Sequence, residues 1–170
     1  LFSGYSTEGW FCEYSGADFG YQTLTLDYLA DLDFINQDDK FSRHLKKALQ
    51  FLSYGALPNG SFGGTCGSRN TRFLYPAGVE LLALRFPEAV PLARFCRKAH
   101  KRNSVVSLAC LDEPNFITMF NSFCRAALTY APLANSGKLP FQGKQFLKHL
   151  PEAGLTISKA KNNYMVVNWK

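Results

Sequence analysis

The stretch "NGSFGGTCGSRNTRFLYPAGVELLA", Asn59 to Ala83, carries four glycines into an Arg-Asn-Thr-Arg cluster, then a Tyr-Pro and an apolar run that holds a fifth. Glycines let a loop turn tightly and bring backbone N–H groups against a ligand. Arg69 and Arg72 offer planar forks that pair in a bidentate way with carboxylate or sulfate oxygens. A second polar loop, "FCEYSGADFGYQ", supplies Glu13, Tyr14, Asp18 and Tyr21. Two carboxylates five residues apart can serve as acid and base in glycoside hydrolysis. Asp18 can equally cap the helix that follows it. Trp10, beside Gly9, can stack on a sugar ring or pack inside the loop. Arg69 and Asn70 also have a purely structural reading, as caps or as ties between neighbouring loops, with an arginine paired to Glu13 or Asp18.

The elements around these loops are mainly helical. Apolar residues recur at helical spacing in Tyr21, Leu24, Tyr28 and Leu32, a first helix ending near Asn36. Asp38 and Asp39 can cap a second helix whose core face is Phe41, Leu45, Ala48, Leu49 and Leu52. Further helices are expected over Pro76–Phe86, Val90–Arg102 and Pro114–Tyr130, the third with Val79, Leu82 and Ala83 inward. "SVVSLACL", Ser104 to Leu111, fits strand or helix. There is an internal echo: "EGWF" at 8–11 matches "NGSF" at 59–62, and "TLDYLADL" at 25–32 matches "GVELLALR" at 78–85. A repeated helical hairpin with glycine loops at one end is the pattern of an α/α toroid. From Gly154 the chain changes to "GLTISKAKNNYMVVNW", two β-branched stretches around Lys-Asn-Asn that read as a hairpin with Asn in the turn. "GKLPFQGKQFLKHLPEAG" reads as the linker before it.

Composition narrows the function classes. The 170 residues suit one domain, and the aromatic fraction of 15% fits either a core or a sugar cleft. The net charge of +6 is lopsided: residues 1–39 hold eight acids and no Lys or Arg, so all nineteen basic residues follow them. That points to an acidic ligand for the basic part, or to a plain solvated surface. No helix-turn-helix, finger or aromatic RNA-binding strand appears, which argues against nucleic acid. No run is apolar and long enough to span a membrane. The five cysteines form no C-x-x-C pair and no metal-ligand spacing, so mostly free, buried thiols and no metal are expected, with Cys12–Cys66 a candidate pair. No cofactor is implied. His44, His100 and His149 read as surface residues. The start without Met and the end on "VVNWK" read as an internal piece of a longer chain.

The "EGWFCEYSGADFGYQ" loop, the Tyr-rich helix and the "LPEAGLTI…NNYMVV" junction together resemble the heparinase II/III-type polysaccharide lyases, in which an α/α toroid precedes a β-sandwich. The resemblance implies that residues 1–145 are a toroid fragment and residues 146–170 the linker and first strands of the sandwich. It implies a bacterial protein of periplasm or cytoplasm acting on an acidic, uronate-containing polysaccharide by β-elimination, with the rest of a longer parent chain as its partner. Elimination needs a group that neutralises the uronate carboxylate and another that moves the proton. The resemblance assigns these roles to Asn70 and Tyr75, with Arg69, Arg72, Trp10, Glu13, Tyr14, Asp18 and Tyr21 holding substrate. Asn70 is followed by Thr71, and the Asn-His pair of competent members is missing, which favours the alternative of a non-catalytic relative that binds or helps assemble a surface polysaccharide.

Overall fold

The computed structural model describes residues 3–36, 38–135 and 137–170. Five helices come first: α1 (Phe19–Asn36), α2 (Asp39–Ser53), α3 (Ala77–Ala83), α4 (Val90–Lys101) and α5 (Glu113–Leu128). Three strands close the chain as an antiparallel meander in the order β1 (Phe146–Leu150), β2 (Leu155–Ala160), β3 (Asn163–Asn168). The protein is thus mainly α with a small terminal sheet.

The helices stack as the echo requires. In the first loop Ser6 N–H donates to Trp10 O and Cys12 N–H to Gly4 O; in the second, Leu57 N–H donates to Ser61 O and Gly63 N–H to Gly55 O. Each pair is the other shifted by 51 residues. Gly9 and Gly60 occupy the same turn position with φ of 97° and 89°, a conformation that suits glycine alone. The two repeats then bond to each other between equivalent residues. Thr23 accepts from Tyr75 N–H at a separation of 52, Asp27 accepts from Gly78 N–H at 51, and Asp33 receives the Arg85 guanidinium at 52. Gly78 lies so close to the Leu26–Asp27 backbone that an added Cβ would overlap it.

This close approach decides which side of α1 faces inward. Phe19, Thr23, Leu26, Asp27, Ala30 and Asp33 are buried, whereas Tyr28 is 58% exposed and Leu32 also reaches solvent. The expected Tyr21–Leu24–Tyr28–Leu32 face therefore points away from the core. Small and acidic side chains win because the contact needs short atoms and acceptors for the N–H groups of the second repeat, which large rings cannot offer. On α2 nothing competes, and Phe41, Leu45, Ala48, Leu49 and Leu52 are all buried; Asp38 accepts from Phe41 N–H as its N-cap, while Asp39 begins the helix. α3 is shorter than expected, with Val79, Leu82 and Ala83 inward. Ser104–Leu111 is neither strand nor regular helix but an extended segment with one 3-10 turn at Leu108–Cys110.

The supposed linker contains β1, so the sheet has three strands where two were expected. The positive φ in the β2–β3 turn falls on Lys161 (49°), not on an asparagine. Leu150, Leu155 and Ile157 join the buried cluster formed by the helices, and Tyr164 Oη donates to Tyr54 O at 2.9 Å. Among the described residues no helix is long and apolar enough to cross a membrane.

Asp27 shows what this packing costs. Burial pushes its carboxyl up to about 6, against the opposing pull of the Ser122 hydroxyl, the Gly78 N–H and the Arg125 guanidinium 3.8 Å away. A raised folded-state value means that folding takes up a proton. Its stabilising contribution is complete below the ordinary carboxyl value and is lost as pH rises through about 6. Asp27→Asn should flatten this slope: urea titrations at about pH 5 and about pH 7.5 should show the native protein losing about 1 kcal/mol more than the variant. Equal losses would assign the charge to the Arg125 pair instead.

Candidate functional site

The second glycine loop is built around Asp18. One carboxylate oxygen accepts from Gly20 N–H and Tyr21 N–H at 3.0 and 3.1 Å, capping α1. The other accepts from Arg69 N–H and Thr71 N–H at 3.0 and 3.2 Å, at separations of 51 and 53 residues. Asp18 is 2% exposed, and four N–H groups surround its carboxylate. Ser68 Oγ adds a bond to Glu13 O at 2.7 Å, so the two echoing loops lie side by side.

Asn70 sits at φ 54° in the left-handed region, which Asn tolerates better than most residues. Its amide satisfies its surroundings when the nitrogen donates to Gly67 O and Thr65 O, at 3.1 and 2.9 Å. In that orientation Asn70 stitches the loop to itself. Arg69 swings outward, and its guanidinium lies over the Tyr14 ring with 4.3 Å to the centroid. Tyr14 is itself 73% exposed and held at φ 57°. Arg69 makes no ion pair with Glu13 or Asp18 among the described residues; a stacked cation and an exposed ring replace the expected salt bridge. Arg72 lines an open cleft of about 580 Å³ whose far wall is Asn103–Ser107.

Of the remaining candidates Tyr75 and Trp10 are withdrawn into the core, while Glu13 stays beside the loop. Tyr75 is 2% exposed, rests edge-on against Phe73, and has its hydroxyl pushed up to about 12, first by burial and then by the nearby Tyr21, Asp27 and Tyr28. Tyr21 is half-buried on that side of α1. Trp10 is buried, with its indole N–H donating to Glu8 Oε2 at 3.1 Å. Glu13 forms a backbone bridge with Gly16 at the edge of the first loop.

Other expectations change. Cys12 and Cys66 are both free, and only Cys96 of the five thiols is buried; Cys12, Cys110 and Cys124 are exposed. Loop glycines bring backbones together without aligning the thiols, so proximity in the chain's pattern was too coarse a guide. His100 is half-buried, not on the surface: its Nε2 is 2.8 Å from Leu74 O, its ring meets Phe123 edge-on, and burial lowers its pKa. No group of three His, Cys, Asp or Glu residues among those described could hold a metal ion. The wall Asn103–Ser107 went unread as part of a site. Its only signal is the polar Arg-Asn-Ser at the end of a basic helix, with Asn103 in the positive-φ position (51°).

Comparison with known proteins finds no matching family model, no similar curated protein and no similar solved structure. The likeness to heparinase II/III-type lyases therefore rests on the residues quoted for it.

The geometry gives Asn70 a structural duty that stability can measure. Asn70→Ala should cost about 1–2 kcal/mol through left-handed strain and two lost amide bonds. Asn70→Gly should recover part of this, because glycine relieves the strain but not the bonds. Thermal melts of the three proteins should rank native, Gly, Ala; a rank of Ala above Gly would remove the backbone argument.

Proposed function

We propose that this chain is the helical part of a polysaccharide-lyase-like protein that grips an acidic, uronate-containing polysaccharide without cutting it. The observation that carries the reading is the pair of guanidiniums on the glycine loop, Arg69 stacked on Tyr14 and Arg72 lining the cleft, neither with an internal acid among the described residues. A planar cation over an exposed ring presents its N–H edge to a planar anion, and a uronate carboxylate has that shape. Tyr14 adds a face suited to a sugar ring.

The architecture is in keeping with an α/α toroid segment that leads into a β-sandwich. Two stacked hairpins carry their glycine loops at one end. The outward face of the sheet bears Leu147, Met165 and Val167, apolar residues that a second sheet would cover. Holding is favoured over elimination by the site's own chemistry. A proton-transfer group must reach the substrate, and Tyr75 is enclosed. A carboxylate neutraliser needs free donors, and the Asn70 amide is spent on loop carbonyls.

The test measures binding and cleavage together. Polygalacturonate and other polyuronates should bind the native chain, with neutral dextran as control. Arg69→Ala with Arg72→Ala should weaken binding roughly tenfold, two charge-assisted contacts at the modest end of their range. Ultraviolet absorbance should show no new C4–C5 double bond. An absorbance rise abolished in Tyr75→Phe would make the protein a lyase; failure of every polyuronate to bind would end the reading.

A further inference from the structure

The cationic surface does not stop at the glycine loop. Arg94, Lys98, Lys101 and Arg102 recur at i, i+4, i+7 and i+8 along α4 and its C-cap, a spacing that puts them on one side of the helix. Together with Arg97 they wall an open concavity of about 500 Å³ that no acid among the described residues lines. Lys98 and Arg102 also border a smaller recess of about 120 Å³ that reaches Gly60 and Ser104. Ser104 in turn borders the 580 Å³ cleft that ends at Arg72. The three hollows share wall residues, Lys98 and Arg102 between the first two and Ser104 between the last two, and this series from α4 to the glycine loop is called the trough. Ser104 Oγ donates to Gly60 O at 2.8 Å and fixes the junction between them.

Not all of these cations serve the fold alike. Arg97 is bound to Glu80 through Nε and Nη2 and to Ala131 O, and Arg94 donates to Ala134 O. Lys98, Lys101, Arg102 and Arg72 make no ion pair or side-chain hydrogen bond among the described residues. Like charges three and four residues apart on a helix repel. Elsewhere the protein answers such charge with acid, as at Arg85–Asp33 and Arg125–Asp31. Along the trough Arg97 has Glu80, but Lys98, Lys101, Arg102 and Arg72 have no such acid among the described residues.

We propose that this trough seats an extended strand of anionic polysaccharide, so that the Arg69–Arg72 loop is one end of a longer site and Lys98, Lys101 and Arg102 grip successive acidic sugars. The inference rests on the reading of the loop given above and adds a length requirement to it. A polyanion is called for because unanswered charges run along a line. From Lys98 to Arg102 the helix advances about 6 Å at 1.5 Å per residue, and the adjoining hollows continue the line to Arg72. Sugar is favoured over nucleic acid because single-stranded nucleic acid is held by exposed ring faces. The rings lining the hollows, Phe62 and Phe95, are buried in the core, with Phe141 packed against it, and the exposed Tyr14 ring at the loop end has the Arg69 guanidinium over it. Hydroxyls and amides line the trough instead, among them Ser61, Thr65 and Asn103.

The experiment compares polygalacturonate with its trisaccharide against the native chain, Lys98→Ala/Arg102→Ala and Arg69→Ala/Arg72→Ala, at low and moderate salt. Loss of the two α4 cations should weaken polymer binding roughly fivefold, at about 0.5 kcal/mol per exposed pair, and flatten its salt dependence. Trisaccharide binding should be unchanged, and Lys98→Arg/Arg102→Lys should restore the polymer. Among the described residues none of the four side-chain heads makes an ion pair or a hydrogen bond, and Arg69 only stacks on the exposed Tyr14 ring, so circular dichroism should show the same fold throughout. Native-like polymer affinity in the α4 variant, with loss confined to the loop variant, would overturn the trough and leave the loop reading standing. No binding of either sugar by the native chain would overturn both. A single-stranded oligonucleotide that outcompetes the polymer at equal salt would assign the trough to nucleic acid and overturn the proposal.

Discussion

The carboxylate of Asp18 is the point on which the loop architecture turns. A buried ionised group is costly unless hydrogen bonds replace its water, and here four backbone N–H groups do so. Two of them begin α1 and two belong to the second glycine loop, so one side chain sets where a helix starts and where a loop 51 residues later must lie. Gly67 packs against this carboxylate so closely that a Cβ would meet Asp18 Oδ2 at 2.6 Å. The bonds from Thr23, Asp27 and Asp33 continue the same register down α1. Arg69 and Arg72 project where they do because Asp18 holds the peptide N–H groups at 69 and 71.

The charge asymmetry of the chain takes on a structural meaning in this frame. The acids of the first 39 residues are largely consumed within the fold. Asp18 and Asp38 cap helices, Asp33 meets Arg85, and Asp27 and Asp31 meet Arg125. The basic residues without such partners include those at the loop end and along α4. The separation of sign in sequence thus becomes internal pairing at one face and surplus positive potential at another, and the surplus carries the case for an acidic ligand.

How much of this could be read beforehand varies with the element. α2 was legible because its apolar residues leave one side fully charged. α1 was not, since its aromatic stripe outweighs its buried stripe of Ala, Thr and Asp in any hydropathy count; only the neighbouring repeat shows which stripe is needed. β1 hid in "FLKHL" because its Lys and His hold the middle of a strand whose inner end alone, Leu150, is buried. At the site, the glycine echo correctly put the two loops together, and the capping reading of Asp18 was right as far as it went. Its second pair of bonds, the burial of Tyr75 and the tie of Asn70 to Gly67 and Thr65 depend on loop conformation, which residue types alone do not specify.

One contact carries a consequence for how the chain assembles. Glu8 accepts from the backbone N–H groups of Glu152 and Ala153 at 3.0 and 2.9 Å, while Ser6 and Thr7 donate back to the Glu152 carboxylate. The partners in this clasp are 144 to 146 residues apart. Contacts so distant in sequence come at a loop-closure cost that must be met before they return any energy. The helical hairpins can form from nearby residues, but the clasp must wait until the chain beyond Ala153 has been made. During synthesis the first glycine loop therefore waits, with its Glu8 carboxylate still in water, for the β1–β2 turn to arrive and lock it.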